Sequence, residues 1–523
     1  MLQSGRYTAE GDASLAPGWR LERLTQPSRL NGANGMRTGS DGRIYVAQVA
    51  GSTVSAVDPD SGMIDVISPR GGAIIAPDDL VFDDAGNLYC TEITEDRVAM
   101  LLPNGQSRVI MGDIPVANPI TFHQGRLIAG ECRVGARIME LDRDGGAPRV
   151  IADNIPMVNA FDVGPDGKLY FPAQGANEIW RVSLDGGEPE VVAKDLGVPD
   201  SVKFHPDGYI VSTQVYSGQV LKIDPRTGAS SVLADIGAGL DNVTFVGGRT
   251  FVSHITGSIH EIIAPGKLRA LVDKGLQWPL GLAIGADGVL FVADGGFTYR
   301  LTAAEAGGSG DMELAGLLFT PGFPGWVRGA AAAAPGEFVV TTALNTVARW
   351  WPDRQEHEVI AAGYDLLMGV AIASGGAVVF AEASEGRVLS AEGGNITELA
   401  SGLDRPMGVA IGGDGTVFVS EAGAGRIVKL SGGRAEVVLD GLGEPQGLAI
   451  LDDRLFVIDV ARHELLSCDV SGGGRKLIAS ALPVGAPDGV VIQQLGEGWR
   501  FLRADAHILR AGGRGRRHAL SGG

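Results

Sequence analysis

Six residues in the first half of the chain recur at one register. Asn34, Asp78, Asn118, Asn159, Asp200 and Asp241 stand eight positions before Gly42, Gly86, Gly125, Gly167, Gly208 and Gly248, or seven where the turn is shorter. All six carry a side-chain oxygen. Brought to one axis, such groups repel one another or lack partners unless something sits among them. A hard divalent cation is the expected occupant, since calcium takes about 6–8 oxygen ligands at roughly 2.3–2.6 Å. The set lacks thiol and imidazole, which disfavours zinc and copper. The competing reading is structural, because Asn and Asp also favour turns and strand starts. In the second half the same register holds Leu280, Arg328, Met368, Met407, Gln446 and Asp488, a mostly apolar set with one Arg and no comparable metal set.

A second register lies about six positions after each turn residue. It reads Gln48, Glu92, Glu131, Ala173, Gln214 and His254, then Asp294, Thr342, Glu382, Glu421, Asp459 and Asp505. An acidic residue here can tie down a neighbouring turn. In the first half, Glu92, Glu131 and His254 are also candidates for acid, base or substrate contact.

The elements that must position these residues are strands. Segments such as PDDLVFDDAGNLYCTE from Pro77 and PMGVAIGGDGTVFVSE from Pro406 alternate, turn tightly, and alternate again. Twelve copies are marked by the six turn glycines above and by Gly288, Gly336, Gly376, Gly415, Asp453 and Gly498, about 40 residues apart. Three or four strands per unit at that spacing indicate propeller blades. The expected fold is all-β, two tandem six-bladed β-propellers: residues 1–274 with the metal site, and residues 275–523 with a structural or ligand-binding role. A strand near Trp19–Leu24 is expected to pair with a blade, and Ala303–Gly325 is expected to be an irregular insertion.

Composition narrows the function. The chain has 523 residues, a net charge of −19 and 79 glycines. The acidic balance excludes nucleic acid as a main partner, because phosphate recognition needs a basic face; the basic run Arg514, Arg516, Arg517 and His518 reads as a solvated terminus. No apolar stretch is long enough to span a membrane. Three unpaired cysteines (Cys90, Cys132, Cys468) and no apolar leader suggest a reducing, cytoplasmic setting. Motifs for phosphate loops, zincins and nucleophile elbows are absent.

Residues 25–275 resemble the family of gluconolactonase, senescence marker protein and luciferin-regenerating enzyme. The resemblance rests on Asn118 in ANPITF, Asn159 in NAFDV and Asp200 in PDSVKF, in the family's blade order; Asn34, in NGMR, stands where the family has Glu. It implies a six-bladed, calcium-dependent hydrolase of a lactone or cyclic ester, with Asp200 as base or water-orienting group. The second half, with PxGVAI and VFVSE, looks like NHL-type or virginiamycin-lyase-type blades. That lyase family uses histidines near its channel, whereas His357, His463 and His507 fall outside the channel register. A metal-dependent lyase or isomerase at the same site, or a non-catalytic binding scaffold, are the alternatives. The partner is expected to be a small molecule; the sequence does not specify an oligomeric state.

Overall fold

A computed structural model of the chain describes residues 12–485, apart from 22, 23, 26, 286, 303–311 and 319. The described residues form eleven antiparallel sheets and two short 3-10 turns, Gln174–Ala176 and Pro352–Arg354. Ten sheets are four-stranded meanders with strands paired in chain order, and the eleventh is such a meander extended by one N-terminal strand, a propeller-type arrangement. The turn glycines from Gly42 to Gly415 have φ between 70° and 87°, and Asp453 has 55°. This left-handed backbone is what the hairpin turn requires and what glycine adopts without a Cβ clash.

The chain divides into two compact units: residues 28–275, and residues 276–485 together with 12–27. The N-terminal residues therefore belong with the second unit, a difference from the expected division. The cause is strand pairing. Ser14–Leu15 adds to the edge of Lys476–Ser480, with Ser14 opposite Ser480, and Trp19 meets Phe456 edge-on at 6.1 Å. The pairing strand is thus Ser14–Leu15, not Trp19–Leu24.

The first unit has six four-stranded sheets whose first strands lie innermost: Met36–Thr38, Pro77–Phe82, Ala117–His123, Asp162–Val163, Pro199–Phe204 and Leu240–Val246. The circuit closes. Met36–Thr38 lies against Leu240–Val246, and Thr38 Oγ1 donates to the Phe245 carbonyl at 2.7 Å. Alternate residues of each strand fill the space between successive sheets, as Met36, Ile44, Phe251 and Ile259 do where the first meets the sixth. Such burial of apolar surface is the main term holding the sheets together.

The second unit has five described sheets, with first strands Pro279–Ile284, Val327–Ala334, Leu367–Ile372, Pro406–Ile411 and Pro445–Leu451. The twelfth copy, with Gly498, Asp488 and Asp505, lies outside the described residues, as do His507 and the basic run from Arg514. Within Ala303–Gly325, expected to be irregular, Met312–Leu317 is the fourth strand of its sheet.

Candidate functional site

Four of the six inner strands of the first unit begin with a bulge, and the bulge sets out Asp78, Asn118, Asp200 and Asp241. Between the paired positions Pro77–Glu92 and Leu80–Cys90, two residues, Asp78 and Asp79, oppose the single Thr91. Asp241 and Asn242 oppose Ser253 in the same way, and Asn118 and Pro119 oppose Gly130. The extra residue breaks the ladder and re-aims side chains.

A hydroxyl on the second strand secures each bulge where one is present. Thr91 Oγ1 accepts the Asp79 N–H at 2.9 Å and donates to the Asn118 carbonyl of the next sheet at 2.6 Å. Thr213 joins Ser201 N–H to the Asp241 carbonyl. Ser253 joins Asn242 N–H to the Asn34 carbonyl, completing the circuit. Thr341 and Ser420 do the same in the second unit.

Two neighbouring pairs of the six ring residues are in direct contact. Asn159 Nδ2 donates to Asp200 Oδ1 at 2.8 Å, joined there by Gln174 Nε2 at 2.7 Å. Asn34 Nδ2 donates to Asp241 Oδ2 at 3.0 Å. The oxygens of Asn34 and Asn159 each accept one backbone N–H, from Val49 and Ala160. An amide oxygen has a second lone pair, so neither is exhausted. Asp78 and Asn118 are buried; the Asp78 carbonyl accepts the Gly35 N–H, and Asn118 Oδ1 is buried with no hydrogen-bond partner among the described residues. Such an orphaned acceptor is costly, and it fits a hard-cation ligand. No three His, Cys, Asp or Glu side chains gather as a metal cluster among the described residues, so any cation here depends on the amide oxygens as well.

Behind these residues lies a charged layer absent from the sequence reading. Arg37 reaches two sheets away, donating to the carbonyls of Leu80 at 3.2 Å and Ile120 at 3.1 Å. Lys203, 3% exposed, donates to the Phe161 carbonyl at 3.2 Å. Asp79 accepts the Ile120 N–H and Asp162 accepts the Phe204 N–H. Burial lowers the Lys203 pKa to about 8, assisted by Arg37 and opposed by Asp79, Asp162 and Asp241. Asp241 retains partial solvent exposure, yet burial is the largest cause raising its pKa to about 7; the Asn34 hydrogen bond opposes it, Asp79 adds to it, and Lys203 opposes it.

Half of the register after the turn shares one job. Gln48, Glu92, Gln214, Asp294, Glu382 and Glu421 each accept the backbone N–H seventeen positions earlier, in the loop before their own sheet. Glu92, Glu382 and Glu421 also pair with Arg97, Arg387 and Arg426. Glu131 is fully buried between Arg133 and Arg137. His254 accepts Thr256 N–H at Nδ1, so Nε2 donates to the Ala238 carbonyl at 2.8 Å. Burial lowers its pKa to about 3, which keeps the ring neutral. The side chains of Glu92, Glu131 and His254 are engaged in holding loops.

In the second unit, Arg328, Met368, Met407 and Gln446 are half-buried and Leu280 is exposed. Burial lowers the Arg328 pKa, opposed by Asp365. His357 and His463 bond to the carbonyls of Gly322 and Leu482.

No family model matches the chain, and no curated protein matches it. Solved structures of propeller type do. A streptogramin B lyase is 17% identical over 55% of this chain and 96% of its own, with a TM-score of 0.39. A gluconolactonase from Xanthomonas campestris is 17% identical over 47% of this chain and 94% of its own, also at 0.39. A luciferin-regenerating enzyme is 13% identical over 47% of this chain and 96% of its own, again at 0.39.

Proposed function

We propose that the first unit is a calcium-dependent hydrolase acting on a lactone or cyclic ester at its channel, within a chain built as two tandem six-bladed propellers. The observation that carries the reading is Asn118 Oδ1, an orphaned buried oxygen in a register otherwise filled by Asn and Asp. Asn118, Asn159, Asp200 and Asp241 would hold the ion, with Asn34 and Asp78 completing the set. Calcium, when bound, supplies Lewis acidity toward a carbonyl oxygen.

The chain's own groups do the rest. Asn159 and Gln174 fix Asp200 Oδ1 from two sides, which orients its carboxylate toward a water or substrate hydroxyl. Asn34 restrains Asp241 in the same way. Arg37 and Lys203 offset the negative charge behind the ring, so several carboxylates can share the site. Glu92, Glu131 and His254 act on loop geometry and take no step in the reaction.

The test is turnover of a lactone and ester panel by the chelated chain before and after calcium addition. Calcium-restored hydrolysis that Asp200→Ala abolishes supports the reading. Hydrolysis retained in Asp200→Ala removes Asp200 from its role. Calcium-dependent stabilisation without hydrolysis favours the lyase or isomerase alternative, and no calcium effect at all favours the scaffold.

A further inference from the structure

One arginine of the second unit stands at the register of its inner strands without an acceptor. Arg328 is in line with Leu280, Met368, Met407 and Gln446, one residue per sheet. The five inner strands lie side by side in chain order, so these residues share one end and one level. The glycines that follow them bring the strands close. A Cβ on Gly281 would fall 2.7 Å from the Arg328 carbonyl, and one on Gly369 would fall 2.5 Å from the Met407 carbonyl. Other arginines of this unit are paired: Arg300, Arg349, Arg387, Arg426 and Arg454 each meet a carboxylate. Arg328 is half-buried, yet its guanidinium makes no hydrogen bond or ion pair with the described residues. Asp365 attracts it only through space, and is itself exposed with Oδ1 on the Leu366 N–H at 2.9 Å. A guanidinium carries five N–H donors, and one that gives up water without a protein acceptor is placed at a cost.

The tier two residues earlier, in the loops leading into the inner strands, differs between the units. In the first it holds small and aliphatic residues, Gly32, Ala76, Val116, Met157, Val198 and Gly239. In the second it reads Trp278, Trp326, Leu366, Arg405 and Glu444. Trp278 and Trp326 are half-buried and Leu366 is 37% exposed. Arg405 and Glu444 pair with each other at 3.4 Å, and Glu444 also accepts Gln446 Nε2 at 3.2 Å. Together the two tiers present one unpaired cation amid Met, Leu and Trp side chains. Apolar surface of this kind at the end of a channel, with few polar groups, marks a ligand site.

We propose that this end of the second unit binds a small monocarboxylate with an apolar body. Arg328 holds the carboxylate through the two parallel N–H bonds that suit a guanidinium to that group. Met368, Met407 and Leu366 receive the body, and methionine adapts to bodies of different shape. One negative charge is the limit. A second would meet Asp365 and Glu444, and the chain's net charge of −19 opposes polyanions at longer range.

Calorimetric titration of octanoate into the full-length chain, beside Arg328→Met, tests this. It is run with calcium chelated, so the result stands whether or not the first unit takes an ion. Octanoate should bind saturably, and octanamide, which lacks the charge, at least about tenfold more weakly. Arg328→Met should weaken octanoate binding at least about tenfold. The same variant should leave the melting temperature of the second unit unchanged or raise it, because it removes a cation that no described group satisfies. A lowered melting temperature would show that Arg328 serves an acceptor within the chain, and overturns the proposal. Octanoate binding no tighter than about 1 mM, equal binding of octanamide, or binding undiminished in Arg328→Met also overturns it. Inorganic phosphate bound as tightly as octanoate would mark an anion site without apolar recognition and overturns the ligand class.

Discussion

The two units use one repeat and differ at two adjacent positions. In the first, the entry to the inner strand, a bulge in four of six sheets, carries Asn or Asp followed by a residue such as Asp79, Ser201 or Asn242. In the second, it carries Leu, Met, Arg or Gln followed by glycine. The first unit thereby gains a polar interior that must be satisfied by hydrogen bonds, internal cations or a ligand. The second brings backbones closer together and leaves its channel mostly apolar. The same framework can thus serve either chemistry or packing, and the choice is made at the bulge.

What the units share can be broken in both at once. Glu92→Ala and Glu421→Ala each remove a fully buried carboxylate, orphan a loop N–H and strip an arginine of its partner. Each is expected to cost its unit about 3 kcal/mol, chiefly from the orphaned loop N–H and the lost hydrogen bonds to a charged group, since the arginines are partly exposed and regain water; the loss is read from the corresponding denaturation transition. Equal losses support a common scaffold role. Loss of turnover in Glu92→Ala with stability intact would instead give the first unit a chemical use for this register.

The hydroxyl staples come next in size. Thr91→Val and Thr341→Val keep the shape but leave the Asp79 or Gly329 N–H unsatisfied, a loss of about 1–3 kcal/mol. The shift should be similar in the two units. A larger effect on turnover than on stability would be expected only for Thr91, which sets the Asn118 carbonyl.

Within one pH unit of neutrality, the smallest effect is a histidine-linked pH dependence in the first unit. His254 has its pKa lowered to about 3 by burial, against about 6.5 unfolded. Between those values the unfolded chain binds the extra proton, so stability falls as pH falls from about 6.5, by up to about 1.4 kcal/mol per pH unit for one group. His254→Asn should flatten that slope in acid and change little above pH 7. The second unit has no equivalent buried histidine among its described residues.

Much of this was legible from residue spacing. The turn glycines announced the sheets because a left-handed turn leaves few other choices, and the Asn/Asp register marked polar side chains that the fold leaves buried or half-buried. Other features gave no such signal. Thr91, Thr213 and Ser253 share their position with Ala47, Gly130 and Pro172, so no repeated letter marks the staple. Lys203 reads as the solvent-facing member of an alternating strand, but inner strands face a channel, and burial there depends on five other sheets. The N-terminal strand has only two paired residues, and its partner lies more than four hundred positions away.

The proposed division of labour gives a divalent ion to the first unit's oxygen-bearing residues and none to the second unit. Calorimetric titration of calcium into the chelated full-length chain tests it most directly, run beside Asn118→Leu. The account predicts saturable binding that raises the melting temperature of the first unit alone, lost in Asn118→Leu while the fold is kept. No binding to the unaltered chain, or binding undiminished by Asn118→Leu, would contradict it.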